Sequence, residues 1–194
     1  RAVGAAAGAT DTINTQTVDP VTRAVSLNLD KLFQPSDQDR PHILSVGGSV
    51  EVPRTRGLVV SAAYQYQSGT PFTIIDSTTD ANRNGSFNDD ALPAGTYSGD
   101  PARGDVITVE NKDGIGGARG PDFQILNLRA GYRFRVGGNR SLQAHVDIFN
   151  ASNSANFNNP TSGGDADRRD AATFLVLQSI RGGGPTLTAQ FNLR

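Results

Sequence analysis

Residues 126–136 read LNLRAGYRFRV. The even positions are Leu126, Leu128, Ala130, Tyr132, Phe134 and Val136, and the odd ones are Asn127, Arg129, Gly131, Arg133 and Arg135. Successive side chains of a strand point to opposite faces, so this stretch has one apolar face and one face that carries arginines. The strand around it is expected over residues 122–136. Leu58–Gln67 follows the same rule, with Leu58, Val60, Ala62, Tyr64 and Tyr66 set against Val59, Ser61, Ala63, Gln65 and Gln67. Four further segments alternate. Residues 24–31 bring Val25, Leu27 and Leu29 together, and residues 42–52 do so with Leu44, Val46, Val50 and Val52. Residues 141–150 set Leu142, Ala144, Val146 and Ile148 against Gln143, His145 and Asp147, and residues 186–194 align Leu187, Ala189, Phe191 and Leu193.

The connections fall into two kinds. PRTRG (53–57) and GGNR (137–140) are tight turns, while QPSDQDRP (34–41) is a polar, turn-rich connection. Residues 68–121 and 151–184 are long stretches of Gly, Asp, Asn, Thr and Pro, and 1–22 reads as an irregular tail. A water-soluble domain rarely holds a structureless loop of fifty-four residues, whereas the outer side of a membrane barrel tolerates one. Numbering six strands alternately up and down puts both tight turns on one side and every long connection on the other. The C-terminus then ends on the short-turn side. Making 174–180 a spanning strand would break that parity, so it is read as loop or as a strand extension above the membrane. The expected fold is all-β: an antiparallel meander of about six long strands over residues 23–194, with short turns on one side and long loops on the other. It is part of a transmembrane β-barrel or an open sheet derived from one. Six strands are fewer than the eight that the smallest single-chain barrel needs, so further strands or a partner must complete the wall.

Composition narrows the function classes. The chain has 194 residues, a formal net charge of -1 and 36% hydrophobic residues, which suits a barrel whose inner face is polar. No run approaches the roughly 18 apolar residues of a membrane helix. The balanced charge argues against a nucleic-acid partner. The absence of cysteine excludes disulfides and thiolate metal sites. With Arg at position 1 and no Met, the chain is expected to be processed or partial. Sixteen arginines against two lysines is read first as genome bias and second as networking on the polar face.

Candidate sites are few. In DANRNGSFNDD (80–90) the oxygen-bearing residues Asp80, Asn82, Asn84, Ser86, Asn88 and Asp90 surround Gly85 with the spacing of a calcium loop. Position 12 of that pattern is Ala91, so no bidentate Glu closes it, and Asp89 or Asp90 would have to substitute. The same residues also make an ordinary Asn/Asp/Gly turn. Arg129, Arg133, Arg135, Gln143, His145 and Asp147 share one face across a hairpin and form an expected lumenal polar network. Tyr64, Tyr66, Tyr132 and Phe134 lie near strand ends, as in an interfacial aromatic girdle. His42 is the other histidine, and Gly182–Gly184 lacks the lysine and the strand-to-helix setting of a phosphate loop. No nucleophile–base set supports catalysis, and no cofactor other than calcium is implied.

Five segments carry a family resemblance: SDQDRPH (36–42), YQSGTPF (66–72), DANRNGSFNDD (80–90), ILNLRAGYRF (125–134) and VDIFNASNSANF (146–157). In this order and spacing, residues 35–194 resemble the C-terminal part of the barrel of TonB-dependent outer-membrane receptors, in particular those with an N-terminal carboxypeptidase-regulatory-like domain. One departure is the ending Phe191-Asn192-Leu193-Arg194, where that family ends on an aromatic residue. The resemblance implies energy-coupled uptake, with this chain supplying wall and extracellular loops. Its partners would be the remaining strands and the plug of a larger receptor, and lipid. It also implies an outer-membrane location with extracellular loops and a periplasmic C-terminus. The alternative is a non-transport structural subunit, a receptor-derived sheet that packs on and stabilises a larger membrane complex, located at the periplasmic face of that complex.

Overall fold

The computed structural model describes residues 3–5, 16–27, 33–87, 90–112, 114–138, 140–161, 164–181 and 186–193. Their strands, in chain order, are β1 Val3–Ala5, β2 Gln16–Val18, β3 Val25–Leu27, β4 Phe33–Pro35, β5 Ile43–Glu51, β6 Leu58–Gln67, β7 Pro71–Phe72, β8 Gly95–Ser98, β9 Thr108–Asn111, β10 Ala118–Arg119, β11 Phe123–Gly137, β12 Arg140–Phe149 and β13 Thr186–Leu193. The fold is all-β with antiparallel sheets, and among the described residues no helix is long and apolar enough to cross a membrane. The chain divides into two compact units.

One unit comprises His42–Ser68, Asp122–Asn156 and Ile180–Arg194. It holds a five-stranded sheet in the order β13-β12-β11-β6-β5. This is a meander: chain neighbours are sheet neighbours, with the 54-residue stretch 68–121 inserted between β6 and β11. The pairings expected for 42–52 with 58–67 and for 122–136 with 141–150 are present and antiparallel. The register is continuous across the sheet, for example Gly48↔Ala62, Ala62↔Leu128, Leu128↔Ile148 and Ile148↔Leu187. The turns after β5 and β11 lie at one end of the sheet, where Leu58 faces Tyr132 and Gly137 faces Arg140. Asn156 finishes the other end of β11 like a short piece of partner strand. Its Oδ1 accepts from Gln124 N (2.8 Å) and its Nδ2 donates to Gln124 O (2.9 Å). The five-stranded sheet is not closed into a barrel: β5 and β13 are its two edges.

The segment 24–31 does not supply a sixth strand to this sheet. Its described part, β3, pairs instead with β2 in a two-stranded hairpin, and residues 28–32 lie outside the described residues. The cause is the turn between them. Asp19 Oδ1 accepts from Val21 N and Thr22 N, and Asp19 N donates to Ala24 O, which folds the strand straight back. Alternation shows that a strand forms; the capped turn decides its neighbour.

The other unit comprises Arg1–Pro41, Gly69–Pro121 and Phe157–Ser179. It contains the β7–β10 and β8–β9 pairs and a packed core of Phe72, Ile74, Leu92, Val109, Ala118, Ala166 and Leu175. Thus the stretch 68–121 read as loop is folded over much of its length. Leu175, in the one apolar run of 151–184, is fully buried in that core, and its neighbour Val176 makes a single bridge to Val106. Alternation misses these elements because each strand has only two to four residues, too few for a period to register.

The base of this unit explains two of the quoted motifs. Buried Asp39 of SDQDRPH takes an ion pair from Arg119 (Nη2–Oδ2 2.5 Å), and Arg119 Nη1 also donates to Asp39 O and to Gly69 O. At Gly69, in YQSGTPF, a Cβ would stand 1.8 Å from Gly120 O, so only glycine permits this approach of two backbones. Asn159 Nδ2 closes the node by donating to Thr70 O and Thr70 Oγ1.

Candidate functional site

Residues directly opposite in an antiparallel pair project to the same face, so the register sorts every side chain of the sheet. One face carries the rungs Val46–Tyr64–Leu126, Gly48–Ala62–Leu128–Ile148–Leu187, Val50–Val60–Ala130–Val146–Ala189 and Leu58–Tyr132–Ala144–Phe191. Many of its large side chains are uncovered: Val46, Val50 and Val136 are 58%, 60% and 61% exposed, and Leu187 is 71% exposed, while Tyr64, Leu126, Leu128 and Tyr132 are half-buried. From Leu126 to Val136 the apolar row runs about 33 Å along the strand, or about 25 Å of height at the roughly 40° tilt of a barrel strand. That is the height of a lipid-facing band. Aromatic residues mark both ends. Tyr66 OH donates to Asp122 Oδ2 (2.7 Å) and Tyr64 OH to Gln124 Oε1 (3.3 Å) at one end. Tyr132 and Phe134 lie with ring centroids 4.6 Å apart at the other.

The opposite face is polar at its centre. Ser49–Ser61–Arg129–Asp147–Thr188 form one rung. Arg129 holds Asp147 with two parallel bonds, Nε to Oδ1 (2.5 Å) and Nη2 to Oδ2 (2.9 Å), while Asp147 is buried. His145 Nε2 stands 3.9 Å from Asp147 Oδ2, on the same strand two residues away. A buried carboxylate is retained only with such a partner, and the planar guanidinium supplies it bidentately. Arg133 lies opposite Gln143, and Arg135 opposite Ser141. Of the six residues assigned to this network, the structure therefore brings Arg129, His145 and Asp147 into one cluster and places Arg133, Gln143 and Arg135 on the next rungs of the same face. Sequence reading did not single out Asn127, whose Oδ1 accepts from Asn150 N (3.0 Å) and so anchors the turn of VDIFNASNSANF to β11. Asn150, with φ 49°, closes that turn by taking Ser154 N on its Oδ1 and giving its Nδ2 to Ser154 O. An Asn that tolerates left-handed backbone is the signal that was available for it.

The 80–90 loop, in the other unit, is held by its own backbone. Asp80 Oδ1 accepts from Asn84 N and Asp80 Oδ2 from Gly85 N. Asn82 Oδ1 accepts from Asn84 N, Asn84 Oδ1 from Ser86 N, and Asp90 Oδ2 from Ala81 N. Gly85 has φ 90°, a conformation that favours glycine. These bonds account for the loop's shape. Asn88 and Asp89 lie outside the described residues, and among the described residues no three His, Asp or Glu side chains converge as a metal would require. Nearby in this unit, Asp167 is buried. Burial pushes its carboxyl up, but bonds from Ser77 Oγ, Arg169 N and Ser77 N, with the Arg169 charge, outweigh that and hold it below the usual carboxylate range. Asp165 is pushed up by burial, and the charge of Asp170 adds to the shift.

An antiparallel sheet with an uncovered apolar face of bilayer height, aromatic ends and an ion-paired polar face is the wall of a membrane β-barrel. A half of a water-soluble sandwich would bury that apolar face against a second sheet. The family described as outer membrane beta barrel domain matches residues 7–179, and the chain belongs to that family. It is an outer-membrane barrel protein; β13 lies beyond the matched stretch yet pairs with β12 over its whole length. No curated protein and no solved structure gave a match.

Proposed function

We propose that this chain forms the C-terminal barrel portion of a TonB-dependent outer-membrane receptor and contributes wall and extracellular loops to energy-coupled uptake. The observation that carries this reading is the sheet with two faces and two open edges. Its apolar face suits lipid, its polar face suits a lumen, and the edge strands β5 and β13 require neighbours, because unpaired backbone groups are not tolerated in hydrocarbon. The five motifs that resemble such receptors support the finer assignment. Three of them, SDQDRPH, YQSGTPF and VDIFNASNSANF, supply the Asp39 ion pair with Arg119, the backbone approach at Gly69 and the Asn150 turn described above. The polar face would line the passage, and the unit built from 69–121 and 157–179 would face the medium and meet the cargo. The residues make no case for catalysis. A receptor-derived structural subunit is the second reading, favoured by the same open edges, which a partner complex would cover equally well.

One experiment separates the two. The native protein that carries this sequence is isolated from outer membranes, its intact mass is measured, and Leu128 and Val146 are replaced in turn by a photo-crosslinking residue. A very large mass with crosslinks to lipid is expected. A subunit of this chain's own mass with crosslinks to protein would replace the receptor reading by the structural one. Protease cleavage within 81–87 on intact cells is expected as well, since that loop would lie outside.

A further inference from the structure

β11 outruns β6. The two pair from Phe123↔Gln67 to Tyr132↔Leu58, and Arg133 N donates to Gly57 O (3.0 Å). Beyond that point β11 continues to Gly137 beside β12 alone. The overhang leaves a notch of about 600 Å³ at the short-turn end of the sheet, lined by Glu51, Arg56, Tyr132, Arg133, Phe134 and Arg135. Alternation sends Tyr132 and Phe134 to the apolar face and Arg133 and Arg135 to the polar one. Residues of both faces therefore border the notch.

The charge there is one-sided. Arg54, Arg56, Arg133, Arg135 and Arg140 gather at this end, with Glu51 as the only acid of strands and turns there among the described residues, which leaves thirteen cations and eighteen acids for the rest of the chain. All five guanidiniums are exposed, and among the described residues none has an ion-pair partner, whereas Arg103, Arg119, Arg129 and Arg169 each have one. Five guanidiniums beside one carboxylate leave an excess of like charge, and a bound anion relieves the repulsion. Apolar side chains adjoin the arginines: Phe134 and Val136 are 47% and 61% exposed at the edge of the lipid-facing band. Tyr132 OH is tied to Thr55 O (3.0 Å), which fixes the turn against the notch.

We propose that this notch binds the phosphodiester headgroup of an anionic phospholipid. Arg56, Arg133 and Arg135 hold the phosphate, since a guanidinium matches its oxygens bidentately. The acyl chains run along Phe134, Val136 and Leu142. The proposal rests on the outer-membrane placement of the sheet and is independent of transport, so it stands if the receptor reading fails.

The test is native mass spectrometry of the detergent-solubilised full chain with phosphatidylglycerol, phosphatidylcholine or inorganic phosphate. Phosphatidylglycerol adducts are expected to outlast phosphatidylcholine adducts. The triple variant R56Q/R133Q/R135Q is expected to weaken phosphatidylglycerol retention roughly hundredfold, from the contribution of three basic groups at an anionic surface. Arg103→Gln is expected to leave retention unchanged. On the wild-type chain, about 1 M salt, where the Debye length is near 3 Å, is expected to abolish the preference, which serves as the check if the triple variant does not fold. Equal retention of the two lipids by the wild-type chain, or unchanged retention in a folded triple variant, would overturn the proposal. Displacement of phosphatidylglycerol by equimolar phosphate would overturn it too, because the site would then take the free anion.

Discussion

Among the described residues, every large apolar side chain less than a tenth exposed, from Phe72, Ile74 and Ile75 through Leu92 and Val109 to Leu175, lies in the unit built from connecting segments, and none lies in the five-stranded sheet. In the sheet, Leu44, Val46, Val50, Val60, Val146, Ile148 and Leu187 stand open on one face. The two regions are made for different solvents. The connecting unit excludes water by packing apolar groups against each other, whereas the sheet leaves its apolar groups uncovered on one face and holds the Arg129–Asp147 pair on the other. Burial, read alone, would name the connecting unit the core of the protein and the sheet its surface. In a barrel the relation is reversed, because the hydrophobic phase lies outside the molecule.

The largest expected effect tests the water-facing half of that contrast. Ile74→Ala, at a fully buried site, should destabilise the connecting unit by about 2–5 kcal/mol, read by urea denaturation with a probe in that unit. Val46→Ala on the exposed sheet face, measured in detergent, should cost far less. Equal losses would mean that both faces pack against protein.

Leu128→Arg tests the lipid-facing half. It should cost about 2–4 kcal/mol if the residue lies at mid-membrane, measured as folding equilibrium in bilayers, whereas Arg129→Leu would strand the buried Asp147 on the polar face. A Leu128→Arg variant as stable as the parent would place that face against water.

A smaller effect follows from two carboxylates of opposite tendency. Asp167 is held below its ordinary value in the folded state, so it contributes stability above its unfolded pKa of about 3.9, and that contribution is lost as pH falls through the folded value. Asp167→Asn should therefore cost about 1–3 kcal/mol at pH 7 and flatten the acid limb of the stability curve. Asp165 is pushed up, so its ionised form at neutral pH opposes folding and protonation on acidification relieves it. Asp165→Asn should be neutral or stabilising at pH 7. Thermal unfolding of both variants between pH 3 and pH 7 checks the pair.

The smallest effect concerns the 80–90 loop. Asp80→Ala removes the acceptor of the Asn84 and Gly85 amides and should loosen the loop by about 0.5–1.5 kcal/mol, with or without calcium, read by amide hydrogen exchange. A calcium-dependent heat in the wild-type chain that disappears in the variant would instead assign an ion to that loop.

Alternation alone determined all five strands of the sheet almost to their ends, their pairing across the two tight turns, and which residues share a face. A period of two survives any context in which the two faces see different solvents, so Leu126–Val136 needed no neighbour to be read. The grouping of Arg129, His145 and Asp147 on one face was legible for the same reason. Turn chemistry and tertiary structure decided the rest. Residues 24–31 carry the same pattern as the sheet strands, but the Asp19-capped turn pairs Val25–Leu27 with Gln16–Val18. The core around Ile74 and Leu175, and the ion pair of Asp39 with Arg119, join residues eighty or more positions apart through strands too short to show a period. The notch at the short-turn rim depends on where β6 stops beside β11, a difference in strand length that register sets and composition does not carry. Local patterns report which solvent a side chain meets; which partner it meets is a matter of long-range contacts, and those exist only once the chain has closed on itself.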